Sequence, residues 1–188
     1  MTQSVSKVLI IGGGFSGMSA AIELSKKNIE THLVEIDPDW QADGAGISIS
    51  GATLRAFRTL GVLDEFLEQG SGHDGLQVMT HGGHLVEQIP TPRFVDPEIP
   101  GTGAIMRPIL ARILAEKVKQ SGVQVRLGQC CEAIEHNERE AVVTFSDGSS
   151  DSFDLIIAAD GLYSETRERY MPDAAQPKYS GQGVWRAV

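Results

Sequence analysis

Cysteine is almost absent from this chain. Its 188 residues include two, Cys130 and Cys131, adjacent to one another. Neighbours on a strand point to opposite faces, so a bridge between them would be strained. Two reduced thiols are expected instead, as in a cytoplasmic protein. Basic charge is also short: the net charge is −9 and no basic stripe appears, which argues against a nucleic-acid partner. No apolar run approaches the roughly 20 residues of a membrane span. The run Val8 to Ile11 is too short and badly placed for a signal-peptide core, which again points to the cytoplasm. There is no internal repeat and no low-complexity tract. Three histidines, His73, His81 and His84, lie near one another without the further ligands a metal site needs, so no metal is expected.

What is present is concentrated between Lys7 and Asp37. An apolar run, Val8 to Ile11, suits a parallel strand buried on both faces. Gly12-Gly13-Gly14-Phe15-Ser16-Gly17 follows, then the helical stretch Met18 to Leu24, then a second strand ending at Glu35. In a Gly12-x-Gly14-x-x-Gly17 turn each glycine has its own task. Gly12 permits the tight turn, Gly14 lets a pyrophosphate approach the backbone, and Gly17 lets the helix sit close on the sheet. The helix N-terminus offers N–H groups and the positive end of its dipole to phosphates. Asn28 can end the helix in a left-handed conformation. Glu35 stands where an acid meets a ribose diol.

Further along, Gly44 to Gly51 reads as a short extended segment. Leu54, Phe57 and Leu60 share a helical face that Gly61 terminates, and Leu63, Phe66 and Leu67 make a second short helix. Period-two patterning then predicts an antiparallel hairpin, Leu76 to Thr80 and Leu85 to Ile89, around a turn at His81 to His84. Prolines at 90, 92, 97 and 100 predict a loop. Pro108 fits the first turn of a helix, with Arg107 just before it and Gly122 capping it. Val123 to Leu127 reads as a strand. A small antiparallel meander follows, over Cys131 to His136, Ala141 to Phe145 and Asp151 to Phe153. Leu155 to Ala159 reads as another buried strand stopping at Asp160-Gly161, where ligands of open α/β sheets lie. Ser164 to Tyr170 is expected to be a short helix, and Tyr179 to Val188 a terminal strand without a successor.

Three separated motifs coincide: the glycine turn with Glu35, Arg107 before its helix, and Ala159-Asp160-Gly161-Leu162-Tyr163-Ser164-Glu165-Thr166-Arg167. Together they resemble the flavoprotein aromatic hydroxylases, the para-hydroxybenzoate hydroxylase-like FAD-dependent monooxygenases, over essentially the whole chain. The segment Gly44 to Ile49 and the helix after it are similar to that family too. The resemblance implies an α/β fold: a Rossmann-like FAD-binding domain with a parallel sheet and small antiparallel meander, plus the beginning of a second, antiparallel substrate-domain sheet. The implied division is 1–72 and 101–175 for the FAD-binding domain, and 73–100 and 176–188 for a partial substrate domain.

The resemblance also implies FAD in the glycine fold, with NADH or NADPH as transient reductant and a small aromatic or heteroaromatic ring as the molecule hydroxylated. Gly12 and Gly17 shape the cofactor turn, while Gly14, Phe15 and Ser16 would lie along the pyrophosphate. Glu35 would hold the adenosine ribose. Arg107 would reach the phosphates or the ribityl chain. Cys131 would meet adenine through its backbone, Asp160 would touch the cofactor region, and Ser48 would sit near the flavin ring. No residue stands out as a catalytic base. The sequence departs from the family where Ile36-Asp37 follows the strand-end acid in place of an arginine, and where the family's later Gly-Asp fingerprint has no counterpart before Val188. The expectation is therefore an amino-terminal half, inactive alone, for which a second polypeptide could supply the carboxyl-terminal half. The competing readings are a non-catalytic FAD-binding module or subunit of a split flavoenzyme, and a related flavin halogenase or reductase.

Overall fold

The computed structural model describes residues 5–184. In chain order the elements are β1 (Lys7–Ile11), α1 (Phe15–Ser25), β2 (Glu30–Glu35), β3 (Gly46–Ser50), α2 (Gly51–Leu60) and α3 (Leu63–Gln69). Next come β4 (Ser71–His73), β5 (Gly75–Met79), β6 (Leu85–Pro90), β7 (Thr102–Met106), α4 (Arg107–Gln120) and β8 (Gln124–Leu127). The chain continues through β9 (Cys131–His136), β10 (Ala141–Phe145), β11 (Ser150–Phe153), β12 (Leu155–Ala158) and α5 (Glu165–Tyr170). The described residues divide into two compact units, 5–42 with 114–184, and 43–113.

The first unit holds the parallel sheet, in the order β12-β1-β2-β8. Val8, Leu9 and Ile10 are fully buried, as a strand with neighbours on both sides and layers on both faces requires. Alternation along β1 splits its side chains between two layers. Leu9 and Ile11 join Val34, Val143, Phe145 and Phe153 in one cluster, so the meander β11-β10-β9 covers that face. Ile10 approaches Gly17, which places α1 on the other face. The expected left-handed residue after α1 is observed, with Asn28 at φ 58°.

β12 corrects an expectation. It is an edge strand, paired with β1 alone, and Leu155 is 42% exposed. Its apolar run reads as central because sequence does not disclose strand order. A second tie holds β12 to β1: the Asp154 carboxylate accepts from the Ser6 N–H at 2.8 Å and the Lys7 N–H at 2.9 Å.

The second unit contains the antiparallel sheet β3-β7-β4 and the separate hairpin β5-β6. Ser50 caps α2 by accepting from the Thr53 N–H, and Gly61 ends it at φ 76°. Leu54, Phe57, Leu60 and Phe66 are buried, with the Phe57 and Phe66 rings 5.3 Å apart. The hairpin forms as expected, and large apolar residues on it, including Val78, Leu85 and Val86, are exposed. β4 and β7 were not expected, being short strands beside glycines and the proline loop. Arg107 is the first residue of α4 rather than the residue before it. Tyr179 to Val184 is irregular, so the described part of the expected terminal strand is not one; positions 185–188 lie outside the described residues. No described helix is long and apolar enough to cross a membrane.

Candidate cofactor site

The carboxyl ends of β1, β2 and β12 open onto a cavity of about 400 Å³ within the first unit. Its wall includes Gly12 and Gly14 from the turn after β1, Glu35 from the end of β2, and Asp160 and Gly161 beyond β12. Gln129, Cys130 and Cys131 also line it, as do Thr166, Arg169 and Tyr170 of α5.

The glycine turn has the geometry its spacing predicts. Gly12 adopts φ 105°, and a Cβ there would lie 2.5 Å from the Ala159 carbonyl oxygen. A Cβ on Gly17 would come within 1.9 Å of the Gly12 carbonyl oxygen, so any side chain would push α1 off the turn. Gly14 is different. It is exposed, nothing lies within 4 Å of a Cβ built on it, and it begins α1 with no side-chain cap. The α1 amides and dipole are therefore placed to meet an anion.

Glu35 is held by two backbone donors. The Gly13 N–H donates to Oε2 at 2.6 Å and the Asp37 N–H to Oε1 at 2.8 Å. These contacts fix the carboxylate and leave lone pairs for a ligand diol. Asp160 is held as tightly. It accepts from Ser164 Oγ at 2.6 Å and from the Thr166 N–H at 3.0 Å. Burial would raise its pKa, but those hydrogen bonds prevail and hold it below the usual carboxylate value. At Cys131, burial and then the neighbouring Cys130 and Asp160 push the thiol up to about 12, so it stays protonated. Both cysteines are free.

Of the residues expected at a cofactor, the structure brings Gly12, Gly14, Glu35, Cys131 and Asp160 onto this cavity. Phe15, Ser16 and Gly17 form the first turn of α1 and are not on its wall. Arg107 and Ser48 belong to the second unit, where the Arg107 N–H donates to the Ala45 carbonyl at 3.3 Å. Sequence reasoning passed over the α5 contribution. Arg169 donates to the Glu132 carbonyl at 2.8 Å, and Tyr170 Oη accepts from the Ile134 N–H at 2.7 Å. These bonds pin α5 to the edge of β9. Among the described residues no group of three or more His, Cys, Asp or Glu is arranged to hold a metal ion.

A glycine turn, an uncapped helix start and a strand-end acid on one cavity define a dinucleotide-binding α/β fold. The chain belongs to the FAD binding domain family, which matches residues 5–180. FAD is accordingly its cofactor, and the residues present fit it. The open space beside Gly14 would take a phosphate, and the anchored Glu35 would take a diol.

Among known proteins, the chain is 30% identical over 183 residues to 2-heptyl-3-hydroxy-4(1H)-quinolone synthase of Pseudomonas aeruginosa, covering 96% of this chain and 46% of that protein. It is 28% identical over 191 residues to 6-hydroxynicotinate 3-monooxygenase of Pseudomonas fluorescens, covering 100% of this chain and 48% of that one. Among solved structures, a 2-methyl-3-hydroxypyridine-5-carboxylic acid oxygenase superposes with a TM-score of 0.72 at 25% identity, over 88% of this chain and 42% of its own. The chain thus spans about half the length of the relatives it matches.

Proposed function

We propose that this chain is the FAD-binding part of an NAD(P)H-dependent monooxygenase that hydroxylates a small aromatic or heteroaromatic ring. One observation carries the reading: Gly12, Gly14, Glu35, Cys131 and Asp160 converge on a single cavity. The relatives support it, since one is named as the 3-monooxygenase of 6-hydroxynicotinate. FAD, when bound and reduced by NAD(P)H, supplies the oxygen chemistry. The chain's own residues bind and orient it. Glu35 holds the ribose diol, while Gly14, Phe15 and Ser16 run along the pyrophosphate at the head of α1. The Cys131 backbone meets adenine. Asp160 shapes the cavity beside the cofactor by holding the start of α5, and Ser48 lies by the flavin ring. Arg107 pairs with the phosphates or the ribityl chain, a contact whose loss in Arg107→Ala should shrink as salt rises.

Residues 1–72 and 101–175 then make the cofactor domain, and 73–100 with 176–188 the start of a substrate domain. A cytoplasmic setting belongs to the same reading and is supported by the two free thiols. The comparisons lend no support to a separate polypeptide as partner, and none is proposed. The test is a titration of the purified protein with FAD and with NAD, followed by flavin fluorescence. NADH and NADPH oxidation is then measured with hydroxypyridine carboxylates and phenols, and products are weighed for one added oxygen. Tight NAD binding with no FAD binding would overturn the reading.

A further inference from the structure

Gly13 lies between two glycines of the cavity wall but is itself buried behind the turn. Both polar groups of this residue are taken there. Its N–H donates to Glu35 Oε2 at 2.6 Å, and its carbonyl accepts from the Trp40 indole Nε1 at 2.8 Å. A Cβ on Gly13 would lie 2.4 Å from Trp40 Nε1 and 2.9 Å from Glu35 Oε2, so the fit is close on both sides.

Trp40 is brought to this place by an organised turn. The Asp37 carboxylate accepts from the Asp39 N–H at 3.0 Å and from the Gln41 N–H at 2.8 Å. The Asp37 N–H donates to the other oxygen of Glu35 at 2.8 Å. Trp40 itself sits at φ 48°, a left-handed conformation that a bulky residue adopts only when its surroundings hold it there. The residue is only 9% exposed, and its ring carries the Lys119 ammonium 5.6 Å from its centroid. The contacts close a ring: Gly13 to Glu35, Glu35 to Asp37, and the Asp37 turn to Trp40 and back to Gly13. Trp40 is not on the cavity wall, so it acts through the glycine turn.

We propose that Trp40, carried by the Asp37 turn, is a positioning residue for the FAD pyrophosphate. It clamps Gly13 from behind and so fixes where Gly14 and the head of α1 meet the phosphates. The inference rests on the FAD reading of this cavity, and it assigns a role to the turn that stands in place of the family's arginine. The clamp acts on the phosphate side of the site, so its loss should spare adenosine and penalise phosphorylated ligands.

The test compares wild type, Trp40→Phe and Asp37→Ala in titrations with adenosine, ADP and FAD. Both variants should bind adenosine within about twofold of wild type and bind ADP and FAD roughly five- to tenfold more weakly, the size of one hydrogen bond. The wild-type protein gives an independent answer by NMR: the Trp40 indole N–H should exchange slowly and shift on adding ADP, though it touches no ligand. Equal loss of adenosine and ADP affinity, or an indole resonance indifferent to ADP, overturns the inference and leaves the FAD reading standing. A wild-type protein that binds none of the three overturns the FAD reading and this inference with it.

Discussion

Ser164 Oγ donates to Asp160 Oδ1 at 2.6 Å and also accepts from the Arg167 N–H at 2.9 Å, so Asp160 and the cap of α5 form one unit. The motif that resembles a cofactor fingerprint is, in its side chains, a device for starting a helix. The cavity gains from it indirectly, because α5 supplies Thr166, Arg169 and Tyr170 to the wall. Asp160→Ala would leave the buried Ser164 hydroxyl and the Thr166 N–H without their acceptor. A stability loss of roughly 1–3 kcal/mol is expected. Denaturant unfolding would show it, with FAD affinity falling alongside. Unchanged stability would mean that α5 is anchored by Arg169 and Tyr170 alone.

Gly17 is the strictest of the three motif glycines. The 1.9 Å approach to the Gly12 carbonyl oxygen involves backbone on both sides, which cannot rotate away as a side chain can. Gly17→Ala should therefore cost more than the roughly 1–3 kcal/mol of ordinary overpacking. Gly14→Ala meets open space and should fold normally while losing FAD affinity. If the two variants melted alike, the division of labour between these glycines would be wrong.

Much of this was legible in the sequence because it depends on local pattern. The β1 run, the φ > 0 requirement at Gly12 and the acid at the end of β2 all follow from spacing within about one βαβ unit. The exposure of Leu155 was not legible, since it depends on β12 lying at an edge. β7 was missed because Thr102–Met106 is five residues between a proline loop and a helix, with pairing partners some fifty and thirty positions earlier. The stretch Pro38-Asp39-Trp40-Gln41 has no local pattern beyond that of a loop. The partner of Trp40 is Gly13, 27 residues back, and no local signal marks a tryptophan at positive φ. The α5 contacts to Glu132 and Ile134 are likewise between elements that only the folded chain brings together.

Glu35 carries two separable duties. Its carboxylate oxygens accept from the Gly13 and Asp37 backbone N–H groups, and its remaining lone pairs are left for the cavity. Glu35→Ala removes both and should weaken FAD binding by roughly 1–3 kcal/mol, with some loss of stability. Glu35→Gln retains one carbonyl acceptor, so it should bind better than the alanine variant. Isothermal titration would separate them, and equal affinity for all three proteins would confine Glu35 to bracing the turn, with no part in holding the cofactor.

A pH dependence away from the cavity is expected at Asp154. Its Oδ2 accepts from the Ser6 N–H, the Ser6 hydroxyl at 2.7 Å and the Lys7 N–H, tying the start of β12 to the start of β1. The Ser6 backbone bond, then the Ser6 hydroxyl and the Lys7 amide, hold its pKa below the ordinary carboxylate value against a small opposing effect of burial. A carboxyl group depressed in the folded state binds its proton more readily when unfolded. Its stabilisation is therefore complete above the unfolded value, about pH 4, and is lost as pH falls through the lower folded value. Asp147, whose hydroxyl and amide donors from Ser149 and Gln129 bring it to about 2, and Asp151 and Asp160 behave in the same sense, so acid sensitivity of the whole protein cannot isolate one group. The difference between wild type and Asp154→Ala can. The gap in melting temperature should be widest near about pH 7 and close progressively below about pH 4, where the wild-type carboxylate becomes protonated. A gap that stayed constant across that range would show that Asp154 contributes through packing and not through its charge.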